Sequence, residues 1–344
     1  MAAANLPLAM TLGDPAGVGP IIACKAYDAL RAKGGRPFYL VAPPAALRDA
    51  ARAAWSGNHG EIIPITDPSQ APKAFDSGLP VFSIPGPGWN VQPGVPEPSS
   101  ASVIIESIRL AVEHTRAGKA AGVVTNPIAK ALLYRAGFKH PGHTEYLAEL
   151  AAGKNGKAPR AVMMLVGGGL RVALVTIHQP LAKAVKSLST DLIAEVGSIV
   201  HNDLAYSFGM KRPRIGLCGV NPHAGEDGEI GREEIEIINP AAVKLRAKGI
   251  DCSDARPGDT IFHEALAGRY DAVIAMYHDQ GLIPVKTLDM WGGVNVTLGL
   301  PFIRTSPDHG VAYDAAASGA AKAESLIAAL NLADQMAHAR ASAQ

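Results

Sequence analysis

The run Ala272-Val273-Ile274-Ala275-Met276, broken off at once by Tyr277-His278-Asp279-Gln280-Gly281, constrains this chain more than any other stretch. An unbroken apolar run with polar and glycine residues at its exit predicts a strand buried on both faces, the kind found in parallel sheets. Two further runs share the plan. Residues 171–177 run apolar into His178, and residues 214–220 lead through Asn221-Pro222 to His223. Ligands of open α/β sheets lie beyond the carboxyl ends of the strands. Three such strands would bring His178, His223 and His278 to one rim. Imidazole suits zinc, cobalt, nickel and iron, and three protein ligands with an open position mark a catalytic metal site. A single histidine at a strand exit is more often a hydrogen-bonded loop residue. The threefold recurrence is what points to a metal.

The remaining chain alternates strands with helices. Strands are predicted at 8–12, 37–42, 61–65, 80–84, 121–124 and 162–166. Helices are predicted at 20–33, 45–55, 99–116, 145–152, 190–206, 232–248, 261–266 and 324–339. Asn126 before Pro127 predicts a helix start, Gly137 its end, and Thr144 and Thr190 two further caps. Gly167-Gly168-Gly169 predicts a hairpin-like turn between 162–166 and 171–177. The alternation gives an α/β class with largely parallel sheets. At 344 residues, of which 48% are hydrophobic, the chain has material for two domains with large cores.

Charge and cysteine content exclude several function classes. A formal net charge of +1 without a basic stripe argues against nucleic acid as a partner. Cys24, Cys218 and Cys252 lack paired spacing, which argues against a disulfide framework or thiolate metal site and fits a reducing compartment. The opening Met1-Ala2-Ala3-Ala4-Asn5-Leu6-Pro7 has no basic residue ahead of an apolar segment, and no apolar run reaches the roughly eighteen residues of a membrane span. A cytoplasmic protein without membrane association is expected.

Three polar stretches could carry chemistry. Gly13-Asp14-Pro15-Ala16-Gly17-Val18-Gly19-Pro20 follows a strand and opens a helix, but matches neither standard phosphate-loop spacing; a tight turn and a binding role both remain open. Lys139-His140-Pro141-Gly142-His143-Thr144-Glu145 opens a helix, where backbone donors favour an anion. There His143 either binds substrate or caps the turn. From His278 onward, Lys286, Asn295, Arg304, Asp308 and His309 are scattered along a glycine-rich path that reads as loops around a site.

Five of these segments together resemble the 4-hydroxythreonine-4-phosphate dehydrogenase family of pyridoxal phosphate biosynthesis. They are the Gly13–Pro20 motif, Gly142-His143-Thr144-Glu145, Asn221-Pro222-His223-Ala224-Gly225-Glu226, Tyr277-His278-Asp279-Gln280-Gly281, and the stretch from Gly293 through Asn295, Gly299 and Arg304 to Ser306. The resemblance covers nearly the whole chain in the same motif order. It implies a two-domain architecture like that of isocitrate and isopropylmalate dehydrogenases, which would explain the missing dinucleotide fingerprint. The first domain would hold residues 1–135 and 311–344 on the cofactor side, and the second residues 136–310 with the metal, substrate and dimer interface.

The resemblance also implies roles. His178, His223 and His278 would hold one divalent metal (zinc, magnesium or cobalt). His143, Thr144, Lys286, Asn295 and Arg304 would bind a phosphorylated hydroxy amino acid, with Asp259 and Asp279 as acids near the chemistry. Asp308, His309 and Gly310 resemble the segment that holds the adenosine half of NAD or NADP. A homodimer with shared active sites is implied. Three departures stand out: Gly258 in Pro257-Gly258-Asp259-Thr260, the bulky Met290-Trp291 pair, and the proline-rich loop 85–98. Three alternatives stay open. They are a relative acting on 4-phospho-threonate, phospho-erythronate or an aromatic dihydrodiol dicarboxylate; a zinc hydrolase with Asp279 or Glu226 as base; and a non-catalytic metal-binding protein.

Overall fold

The structure, a computed structural model, describes residues 5–55, 60–87, 91–135, 137–138, 140, 143–152 and 156–343, and for His143 and Thr144 the backbone alone. It divides into two compact units, one running to residue 159 and resuming over 300–342, the other spanning 160–299. The first unit opens with β1 (Leu8–Thr11), β2 (Phe38–Ala42), β3 (Ile62–Ile65), β4 (Leu79–Ser83) and β5 (Val123–Val124). The second holds β6 (Val162–Gly167), β7 (Leu170–Leu174), β8 (Arg214–Cys218), β9 (Asp251–Arg256), β10 (Ala272–Ala275) and β11 (Val294–Leu298). The chain then returns to the first with β12 (Arg304–Pro307).

In the first unit the strand order is β3-β4-β2-β1-β5-β12, and every pairing is parallel. β1 and β2 are buried throughout, as their apolar runs require. The helix Ala101–Arg116 packs on both. Its Ser107 hydroxyl donates to Val41 O at 2.6 Å and accepts from Leu12 N–H at 2.9 Å, which fixes the helix between two strand ends. Because β12 pairs with β5, Arg304 opposite Val123, the chain re-enters this unit at 300 and not at 311. The helix His143–Leu150 also belongs here, which moves the outward crossing from 135 to 159.

In the second unit the order is β11-β6-β7-β10-β8-β9. β6 and β7 form the expected hairpin, turning at Gly168 and Gly169 with φ of 59° and 86°, values that a side chain would oppose. β7, β10, β8 and β9 run parallel. The α/β expectation with largely parallel sheets therefore holds. No helix among the described residues is long and apolar enough to cross a membrane.

Several local expectations change. The helix expected from Pro127 begins at Lys130. Asn126 does not cap it, because its Nδ2 donates back to Thr11 O at 3.0 Å and its N–H to Thr11 Oγ1 at 3.1 Å. Ser189, and not Thr190, caps the helix Thr190–Tyr206 by accepting from Leu192 N–H; the Thr190 hydroxyl donates to Ile237 O. Residues 278–288, expected as loop, form the helix His278–Leu288 despite Gly281 and Pro284. β9 and the helices Ala71–Phe75 and Leu181–Ser187 went unforeseen.

Candidate active site

β10 lies between β7 and β8 and parallel to both, with Ile274 opposite Ala173 on one side and Leu217 on the other. The three carboxyl ends therefore share one edge, where a parallel sheet exposes its binding crevice. Past that edge the exits are tied together. Val175 N–H donates to Ala275 O at 2.9 Å, and the Thr176 hydroxyl to Met276 O at 2.7 Å. Gln280, in the first turn of the helix His278–Leu288, accepts from Met276 N–H at 2.7 Å and donates to Gly219 O at 2.6 Å. One amide thus joins the exits of β10 and β8.

His178 and His278 meet at this edge, with ring centroids 5.5 Å apart and planes tilted by 47°. They line a pocket of about 180 Å³ with Thr176, Gln179, Tyr277 and Asp279. The Asp279 carboxylate lies 2.8 Å from His278 Nδ1. An ionised carboxylate only accepts, so the neutral ring carries its proton on Nδ1 and keeps the Nε2 lone pair for another partner. Carboxylates orient metal-binding histidines in this way. The ring separation also suits a shared ion. A zinc–nitrogen distance of about 2.0–2.1 Å puts each centroid about 3.2 Å from the metal, and a tetrahedral angle then separates the two by about 5.2 Å.

His223 follows β8 on an unusual turn. His223, Ala224, Gly225, Glu226 and Asp227 all have positive φ, between 41° and 83°, making a left-handed turn of five residues, four of them not glycine. Each non-glycine residue so held costs about 1–2 kcal/mol, and such strain gathers at functional sites. The chain just ahead of the turn is held by buried Glu234, which accepts from Val220 N–H, Asn221 N–H and Asn221 Nδ2. Among the described residues no three histidine, cysteine or acidic side chains stand close enough to hold one ion, so the structure brings His178 and His278 together but does not add His223.

The other expected residues take varied places. Lys286 is half-buried in the last turn of the His278–Leu288 helix, eight residues after His278 and so on roughly the same face. Asn295 lies on β11, and its Oδ1 is buried without a hydrogen-bond partner among the described residues. Such an orphaned acceptor costs about 1–3 kcal/mol unless a ligand satisfies it. Asp259 is exposed on a turn abutting Gln280, since a Cβ on Gly258 would lie 3.6 Å from Gln280 Nε2.

In the first unit Arg304 is buried on β12, and its Nε and Nη2 donate to Thr125 Oγ1 at 3.2 and 2.7 Å. Burial lowers its pKa to about 10. Asp308 N–H donates to Ser325 Oγ, and His309 is exposed with Nδ1 2.9 Å from Gly310 O. The side chains of His143 and Thr144 lie outside the described residues. The sequence reading missed Gln280, Thr125 and Glu234. Glu234 had a signal: it shares a helical stripe with buried Ile238, Ala241, Ala242 and Leu245, which aims an acid inward.

Residues 35–333 match the family described as Pyridoxal phosphate biosynthetic protein PdxA. The chain is 50% identical over 339 residues to the 4-hydroxythreonine-4-phosphate dehydrogenase of Bradyrhizobium diazoefficiens, covering 97% of this chain and 98% of that protein. Its fold is similar to the crystal structure of 4-hydroxythreonine-4-phosphate dehydrogenase from Klebsiella pneumoniae, with a TM-score of 0.83 at 37% identity over 96% of this chain and 99% of the other. A terephthalate 1,2-cis-dihydrodiol dehydrogenase from Burkholderia xenovorans is more distant, at a TM-score of 0.65 and 26% identity over 96% and 98% of the two chains.

Proposed function

Because the chain belongs to the family of the pyridoxal phosphate biosynthetic protein PdxA, we propose that it oxidises 4-phosphooxy-L-threonine with NAD or NADP, using one divalent metal ion. The product is 2-amino-3-oxo-4-phosphooxybutanoate, which loses carbon dioxide to give 3-amino-2-oxopropyl phosphate. The observation that carries this reading is the paired His178 and His278 at the exits of adjacent parallel strands, in a chain half identical to a 4-hydroxythreonine-4-phosphate dehydrogenase. When bound, the metal would lower the pKa of the substrate alcohol and the nicotinamide would take its hydride.

The chain's own groups fill the remaining roles. His178, His223 and His278 are the proposed ligands, and Asp279 holds the His278 ring in the tautomer that leaves Nε2 available. Asp259 is the carboxylate proposed to accept the hydroxyl proton. Asn295 Oδ1, a buried acceptor without a partner among the described residues, suits the substrate ammonium or hydroxyl. Lys286, Arg304, His143 and Thr144 are assigned to the substrate, the two cations to its phosphate or carboxylate. Asp308, His309 and Gly310 are assigned to the adenosine half of the cofactor. A homodimer with shared sites is part of the proposal. Supporting it, Ile283, Leu288, Met290 and Trp291 are each 49–64% exposed within nine residues of the segment that follows His278.

Steady-state rates with 4-phosphooxy-L-threonine, 4-phospho-threonate, phospho-erythronate and a dihydrodiol dicarboxylate test the substrate. The proposal expects the amino acid to have the highest kcat/KM, read as nicotinamide reduction. A preference for either sugar acid or for the dihydrodiol would reject it, and absence of any cofactor reduction would reject the dehydrogenase itself.

A further inference from the structure

Glu234 is only 2% exposed, yet its carboxylate is turned toward the strand exit that leads to His223. Oε1 accepts from Val220 N–H at 2.7 Å and Asn221 N–H at 2.8 Å. Oε2 accepts from Asn221 Nδ2 at 2.9 Å, and that amide donates also to Glu233 Oε2 at 2.7 Å. The glycines around it leave room for this grip. A Cβ on Gly219 would come 3.1 Å from Oε1, and one on Gly225 would come 2.8 Å from Oε2. A Cβ on Gly231 would strike the Asn221 amide. The carboxylate therefore bonds the chain just before the left-handed turn, at Val220 and Asn221, and stands where side chains on Gly219 and Gly225 would crowd it. A left-handed run of mostly non-glycine residues persists only where its surroundings over-determine it, and this carboxylate is placed to do so.

We propose that Glu234 is a positioning residue for His223, the third proposed metal ligand, holding the left-handed turn 223–227 on which that histidine sits. The inference rests on the reading of His223 as a ligand and adds a residue that touches neither metal nor substrate. Glutamine at 234 keeps the volume and one acceptor oxygen. Its NH₂ would meet Asn221 Nδ2, donor against donor, and the Asn221 amide cannot flip without losing Glu233.

The test uses the purified full chain with zinc alone, its Kd measured by competition with a chelator. For Glu234→Gln the Kd rises about tenfold or more, the range that outer-sphere residues command, with the urea midpoint little changed. Amide exchange at Ala224, Glu229 and Ile230, whose N–H groups bond within this loop, quickens while exchange elsewhere is preserved. His223→Ala supplies the reference. If it weakens zinc binding and Glu234→Gln does not, this inference alone is overturned. If His223→Ala leaves the Kd unchanged, the ligand reading falls and this inference with it. Zinc affinity lost only in step with global unfolding also overturns it. Should Glu234→Gln fail to fold, Asn221→Ala, which removes the side-chain donor from the same grip, is held to the same outcomes.

Discussion

Replacing Gly281 by alanine sets two effects of known size against each other. Within a helix alanine is favoured over glycine by about 0.8–1.0 kcal/mol. Here, however, the new methyl would fall 2.4 Å from Leu174 Cδ2, 3.1 Å from Val172 Cγ1 and 3.3 Å from Ala275 Cβ. Carbon atoms rest at about 3.5–4.0 Å, so the first contact is short by about 1 Å or more. Leu174 cannot swing aside, because it is 2% exposed in a cluster with Leu165, Val172, Ala275 and Val285. The helix must lift, and overpacking of this kind costs about 1–3 kcal/mol. The expected net loss is about 1 kcal/mol by urea unfolding. Lifting the first helical turn also displaces His278 and Asp279, three and two residues away, and a misplacement of about 1 Å can cost about a hundredfold in rate. Gly281→Ala should therefore lose far more kcat/KM than its stability loss alone explains. A variant more stable than the parent, with full turnover, would show that the helix is not seated on Leu174 and would refute the reasoning.

Three further outcomes follow from the same contacts. His309→Ala should raise the KM for NAD about tenfold, roughly 1.4 kcal/mol, with kcat nearly kept; an unchanged KM removes His309 from the cofactor site. Asp271 accepts from Arg214 N–H, Nε and Nη2 at 2.8, 3.0 and 2.9 Å, and these bonds hold its carboxyl below the ordinary value of 3.8. A depressed acid stabilises the fold above its unfolded value and stops doing so as pH falls through its folded one. Asp271→Asn should therefore lower the urea midpoint at neutral pH, with the gap closing below about pH 4; a gap that does not vary with pH contradicts the pairing. Finally, mixing inactive His178→Ala with inactive Lys286→Ala or Arg304→Ala should restore part of the activity if sites are shared across a homodimer. No rescue in any pairing, together with an active monomer at high dilution, defeats that claim.

What could be read from the sequence, and what could not, divides along a physical line. β10 was legible because burial on both faces leaves an unmistakable apolar run, and that run orders its neighbours. The histidine exits were legible for the same reason: parallel strands must release their chains at one edge, so His178 and His278 had to come near one another. The helix His278–Leu288 was not, because Gly281 and Pro284 are breakers by local rule. Packing overrides the glycine, which is needed under Leu174. The left-handed turn at His223 was illegible for a deeper reason. No local preference puts His223, Ala224, Glu226 and Asp227 at positive φ; the support proposed for that conformation is Glu234, eleven residues after His223, beside glycines spaced to admit it. A site residue announced by its own chemistry can be found in one dimension. A residue that works by holding another's backbone in a costly shape is visible only as a buried charge with three donors around it, and so the strain at His223 and the burial of Glu234 must be explained together.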